Sequence, residues 1–380
     1  MNILVIGNGF DLAHRLPTTY KDFLEFASVF REYDSVKEKF LLKFSDNYKE
    51  KREEILKVFG KNLGNERKEE LVKELMYLVR YNKWLNYFWK ISEFGNWIDF
   101  ETEISRIIQS LDKVRKDRDN KIKNDTKRNK SHKIIEPLSY DEKVLSEALS
   151  WNKTESLEGL KQKLINDLNE LTRCLEIYLC NYVGEKEIKF RLPDIEEKSF
   201  DCVLSFNYTD TFEKIYDSED SKIKYDYIHG KVNVNSDIEK CNLILGIDEY
   251  LEDSEEQQKD NEYIQFKKFY QRIYKKTGCK YTDWIEEAGL FISENNISSP
   301  EHNNVYILGH SMDVTDGDIL SALIKMKNTK TTVFYHNKEA LGKLICNLVK
   351  IIGEKEVIKR TSGKNASIVF REQQEAVLVD

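Results

Sequence analysis

The strongest constraint on the fold is a set of short apolar runs that stop at glycine or a polar residue. Residues 2–7 (Asn-Ile-Leu-Val-Ile-Gly) form the first. After residue 199 the pattern recurs at Phe200–Phe206, Tyr225–His229, Leu243–Gly246, Val305–Gly309 and Thr332–Tyr335, with a last run at Ser367–Phe370. These runs are mostly apolar, as expected of strands covered on both faces, and helical or loop segments separate them. The pattern predicts an α/β fold with a Rossmann-like parallel sheet whose strand C-termini point at one site.

Between the first run and the rest, the texture is helical. Only 16 of 380 residues are glycine and 4 are proline, too few for the turns of an all-β chain. Leu157, Leu160, Leu164, Leu168, Leu171, Leu175 and Tyr178 recur by threes and fours, predicting one long amphipathic helix. The expected organisation is a discontinuous α/β domain, residues 1–30 and 196–380, carrying a helical insertion over 31–195. Two charged stretches stand out. Residues 113–133 hold ten Lys/Arg against three Asp, and Asp248–Glu262 holds eight acids against one lysine. The first reads as a solvated loop between helices or a contact to nucleic acid or an acidic partner; the second reads as a mobile surface loop or helix.

No apolar stretch reaches the roughly 18 residues needed to span a bilayer. The N-terminus lacks a basic leader and runs straight into a strand, so a cytoplasmic chain without membrane association is expected. Six scattered cysteines without a C-x-x-C pair read as buried thiols, and no metal site is expected. A net charge of −7 argues against a dedicated nucleic-acid binder.

Five segments could carry chemistry. Gly7-Asn8-Gly9-Phe10-Asp11 follows the first strand, where backbone N–H groups could cradle a phosphate. A tight strand–helix turn with Asp11 as helix cap explains the same residues, and Leu12 stands where a dinucleotide fingerprint wants a third glycine. Asn207 follows the second strand, with Thr209 or Asp210 as a helix cap. His229 ends a strand beside Gly230, the position of a general base, although a lone histidine is also commonly structural. Gly309-His310-Ser311 could bind a ribose or phosphate, while Asp316 reads as the cap of the next helix. Asp99, Glu101 and Glu103 invite a metal reading, but their spacing fits acids in the first turn of a helix better.

Taken together, these segments resemble the AbiH family of bacterial abortive-infection proteins. The resemblance rests on Asn2–His14, Leu16–Phe23, Trp97–Glu101, Ser205–Thr209, Ile228–Gly230 and Gly309–Asp313. Residues from about 110 to 195 match nothing. The order of motifs is also similar, more weakly, to sirtuin-like NAD-consuming defence effectors. That likeness implies a pyrophosphate at Gly7, Asn8, Gly9, Phe10 and Asp11, and a nicotinamide ribose facing Asn207. It further implies a catalytic His229, and an adenosine side at Gly309 and Ser311. Asn8 replaces the usual alanine, and the acid expected two residues after the asparagine falls at three, as Asp210. The absence of a zinc module suits an NAD hydrolase better than a deacetylase.

The resulting expectation is an anti-phage effector that binds NAD and hydrolyses its N-glycosidic bond through Asn207 and His229. A non-catalytic nucleotide sensor engaging a phage-derived or toxin–antitoxin-type protein is the alternative. A nuclease using the Asp99/Glu101/Glu103 cluster ranks last.

Overall fold

The computed structural model describes residues 1–34, 48–60, 66–92, 99–125, 137–218, 221–233, 235–249, 260–294, 302–364 and 366–378. Two compact units emerge. One comprises Met1–Thr19, Leu179–Val234 and Arg272–Asp380; the other comprises Tyr20–Tyr178 and Asn235–Gln271.

The first unit is built on a six-stranded, wholly parallel sheet. Its strands are β1 (Asn2–Ile6), β3 (Cys202–Ser205), β4 (Lys224–Tyr227), β5 (Asn303–Leu308), β6 (Thr329–Tyr335) and β7 (Ile368–Glu372). Two short strands, β2 (Phe190–Arg191) and β8 (Val377–Leu378), pair separately. The spatial order is β4-β3-β1-β5-β6-β7, the 3-2-1-4-5-6 order of a doubly wound dinucleotide fold. Register aligns Ile6 with Ser205 on one side and with Leu308 on the other.

Alternation along β1 divides the core into two layers. Ile3 and Val5 pack with Leu204, Val305, Ile307, Leu320 and Leu348 on one face. Leu4 and Ile6 pack with Phe10, Val203, Phe212, Leu308 and Phe334 on the other. Burial on both faces is why β1 and β3 read as mostly apolar runs. The sheet therefore matches the expected Rossmann-like α/β class.

The run Leu243–Gly246 does not join that sheet. It lies in the other unit as irregular chain, with Leu243, Ile244 and Leu245 fully buried. The Gln271 side chain supplies what a neighbouring strand would, accepting from Leu245 N–H at 3.2 Å and donating to Leu245 O at 3.0 Å.

The helical unit contains the expected long helix, Leu157–Tyr178. Its core is aromatic: Phe88 and Phe100 stack with ring centroids 4.0 Å apart, and Tyr20 covers the opposite face of Phe100 at 4.0 Å. The basic stretch is not a loop as far as Asp125; it continues the 26-residue helix Phe100–Asp125. A buried stripe of Ile104, Ile107, Ile108, Leu111 and Val114 holds that helix in place, and Arg115 and Lys116 pair back to Asp112. Residues 126–133 lie outside the described residues. Arg115 also meets Asp260 at 2.8 Å and Lys161 meets Glu262 at 2.7 Å, so acids of the same unit face these cations.

Among the described residues no helix is long and apolar enough to cross a membrane. Three cysteines are buried as expected (Cys174, Cys202, Cys241) and Cys180 is half-buried. Cys279 and Cys346 are exposed, contrary to expectation.

Candidate active site at the carboxyl ends of the strands

In open parallel sheets, ligands sit where the strand order reverses, here between β1 and β5. At that point two loops meet backbone to backbone. Gly7 N–H donates to Leu308 O at 3.2 Å, and Gly9 N–H donates to Gly309 O at 2.7 Å. A Cβ on Gly7 would lie 2.7 Å from His310 Cα, and one on Gly9 would lie 2.8 Å from Gly309 Cα. The glycines are therefore required by the close approach of the loops. Phe10 N–H donates to Gly7 O at 2.8 Å, so all three of these N–H groups bond within the protein. The phosphate cradle expected of Gly7, Gly9 and Phe10 rests on N–H groups that are already in use, and the tight-turn reading accounts for them.

Phe10 is fully buried in the core, its ring 4.5 Å from that of His14 and 6.3 Å from that of Phe212. The exposed Asn8 accepts a hydrogen bond from Thr18 Oγ1 at 2.7 Å. Asp11 does not cap a helix; it lies inside Asn8–Ala13, whose N-cap is Gly7.

Asp11 is instead the centre of a buried polar cluster. Its Oδ2 accepts from Thr209 Oγ1 at 2.6 Å, and Thr209 Oγ1 accepts from Thr211 Oγ1 at 3.1 Å. Burial pushes the carboxyl up to about 6, against the opposing hydrogen bonding of Thr209, Thr211 and Asn207. Asn207 thus lies close enough to ease the Asp11 charge. Even so, neither Asn207 Nδ2 nor Asp11 Oδ1 makes a hydrogen bond of normal geometry among the described residues. The Asn207 backbone is fixed by Ser205, whose hydroxyl donates to Asn207 O and accepts from Asn207 N–H, each at 3.1 Å.

His229 approaches the same strand end. It precedes Gly230, whose φ of +82° favours glycine. Its Nδ1 lies 3.3 Å from Phe206 O, the carbonyl directly preceding Asn207. Its Nε2 lies 3.5 Å from Asp316 Oδ1, and His310 Nε2 lies 3.5 Å from Asp316 Oδ2. The Phe206 ring stands edge-on to both imidazoles, at centroid distances of 5.6 and 4.3 Å.

The remaining expected residues lie outside these contacts. Asp210 stands at the start of the helix Thr211–Tyr216 without a side-chain cap bond and pairs with Lys214 at 2.9 Å. Ser311 is exposed, and its carbonyl accepts from Asn347 Nδ2 at 3.0 Å. In the helical unit, Asp99 caps its helix through Glu101 N–H at 3.0 Å. Glu101 pairs with Lys268 and Glu103 with Arg106, so these carboxylates diverge. Trp97 and Ile98 lie outside the described residues.

Thr209, His310 and Asp316 were not expected in the cluster. Thr209 and Asp316 read locally as helix caps; in the structure Asp210 is the N-cap of the first of these helices, and Asp316 makes no side-chain cap bond to the second. A signal for His310 was available, since it follows a strand-ending glycine, close to the placement that marks His229.

Residues 3–336 match the family model described as "Bacteriophage abortive infection AbiH". No curated protein and no solved structure matches the chain. The family match runs from β1 through β6 and includes every strand end that contributes to the cluster. The chain belongs to the AbiH family of bacteriophage abortive-infection proteins, and with it to phage defence.

Proposed function

We propose that the protein acts in abortive infection by binding NAD and hydrolysing the bond between nicotinamide and ribose. The observation that carries this reading is the buried Asn207 amide beside Asp11. It is a polar donor without a normal hydrogen bond, at the strand ends where proteins of this strand order commonly bind dinucleotides. Loss of nicotinamide leaves positive charge on the ribose, which an ionised Asp11 stabilises electrostatically. Asn207 Nδ2 donates to the ribose or to the attacking water.

His229 serves as general base. Its Nδ1–H is directed to Phe206 O, leaving Nε2 to take the proton from water or a ribose hydroxyl. The imidazolium so formed faces the Asp316 carboxylate. The water oxygen bonds to the anomeric carbon, the bond to nicotinamide breaks, and nicotinamide leaves neutral.

The test is incubation of the purified protein with NAD, reading nicotinamide release and, separately, NAD binding by calorimetry. Release by the wild type should fall by about a hundredfold or more in His229→Ala and Asn207→Ala. Full activity in His229→Ala would sink the mechanism. Binding without release by any form would instead favour a nucleotide sensor.

A further inference from the structure

His229, Asp316 and His310 form a chain in which one carboxylate faces two imidazoles, each through a different oxygen. All three side chains are buried, and they come from two separate strand ends. The protonation of His310 follows from its other contact: Nδ1 accepts the Met312 N–H at 2.9 Å, so that nitrogen carries no proton. In the neutral ring the proton is then on Nε2, which lies 3.5 Å from Asp316 Oδ2.

Met312, whose N–H donates to His310 Nδ1, is a fully buried non-glycine residue at φ 55°. The Phe206 ring stands against both imidazoles.

We propose that His310 is a positioning residue that acts through Asp316. By donating from Nε2 to Asp316 Oδ2, it holds the carboxylate so that Oδ1 faces His229 and stabilises the protonated imidazole. The catalytic consequence rests on the NAD-hydrolase reading; the linkage between the three side chains does not. The titratable groups placed against His229 include Asp316, His310 through it, and the Tyr208 ring at 6.1 Å.

The experiment is a titration of the imidazoles by nuclear magnetic resonance in the full chain, which has only six histidines, alongside the pH profile of nicotinamide release. Asp316→Asn should lower the His229 midpoint by about one pH unit or more, because an opposite charge is removed. His310→Phe keeps the ring and loses the donor, so the midpoint should fall part of the way. His310→Gln, whose amide N–H can reach Oδ2, should restore it. Thermal melts establish that each variant is folded.

An unchanged His229 midpoint in folded Asp316→Asn overturns the proposal. So does an unchanged or raised midpoint in His310→Phe, or a fall that His310→Gln does not restore. If these shifts appear while the wild type releases no nicotinamide, the linkage stands and the NAD-hydrolase reading fails.

Discussion

Gly9 and Gly309 lock the two loops at the centre of the sheet. The N–H of Gly9 donates to the carbonyl of Gly309 at 2.7 Å, and Gly309 turns through φ +69° to make that carbonyl available. Its missing side chain is essential, because a Cβ there would collide with Phe10 N.

The first prediction concerns that lock. Gly309→Ala combines a left-handed backbone cost of about 1–2 kcal/mol with a backbone collision. Stability to urea should therefore fall by about 2 kcal/mol or more. Gly353→Ala, also at positive φ but with nothing within 4 Å of the added carbon, should cost less. Equal losses at the two positions would contradict the packing argument.

Asp11 gives a dependence on pH with a definite sign. Its folded value of about 6 lies above the ordinary 3.8, so the folded state binds the proton more tightly than the unfolded state. The contribution to stability is full below about pH 4 and is lost as the pH rises through about 6. At neutral pH the loss is about 3 kcal/mol, at about 1.4 kcal/mol per pH unit. Asp11→Asn should flatten the stability curve between these limits and raise stability at pH 8, while weakening NAD binding. Denaturant melts across the pH range check the first effect, and calorimetry checks the second.

Tyr216 anchors the first helix to the segment before β3. Its hydroxyl accepts from Leu192 N–H at 2.7 Å and donates to His14 Nε2 at 2.8 Å, while His14 Nδ1 donates to Phe10 O at 2.7 Å. Tyr216→Phe removes the hydroxyl, leaves Leu192 N–H and His14 Nε2 without it, and should cost about 1–3 kcal/mol in urea melts. A neutral result would mean that water replaces the hydroxyl.

Thiol reactivity should divide the cysteines. Cys279 and Cys346 should be alkylated first in the native protein, whereas Cys174, Cys202 and Cys241 should require unfolding. For Cys174 and Cys202, burial pushes the thiol pKa up as well, to about 12 in Cys202. Peptide mass spectrometry after a short alkylation reads the order.

The parallel sheet was legible because β1 and β3 are buried on both faces and so are mostly apolar. The same rule misassigned Leu243–Gly246, because burial alone does not make a strand; there a glutamine side chain satisfies the backbone. Asn207 and His229 were legible as polar residues at strand ends. Asp316 was not, since local sequence shows only an acid before a helix. Its approach to His229 depends on β4 and β5 lying three positions apart across the sheet, which spacing along the chain does not encode. Gly7 and Gly9 were recognised as special, but their role in the close approach of the loops becomes visible only with Gly309 beside them.

The position of β1 has a consequence for synthesis. Its neighbours in the sheet are residues 202–205 and 303–308, whereas β1 itself is residues 2–6. At about 10 residues per second, the ribosome needs roughly 20 s after making β1 to deliver its first partner, and roughly 30 s to deliver the second. The central strand β1 thus emerges before both of its neighbours and waits for each. Premature release of the chain before residue 202 leaves that strand with neither neighbour in the sheet.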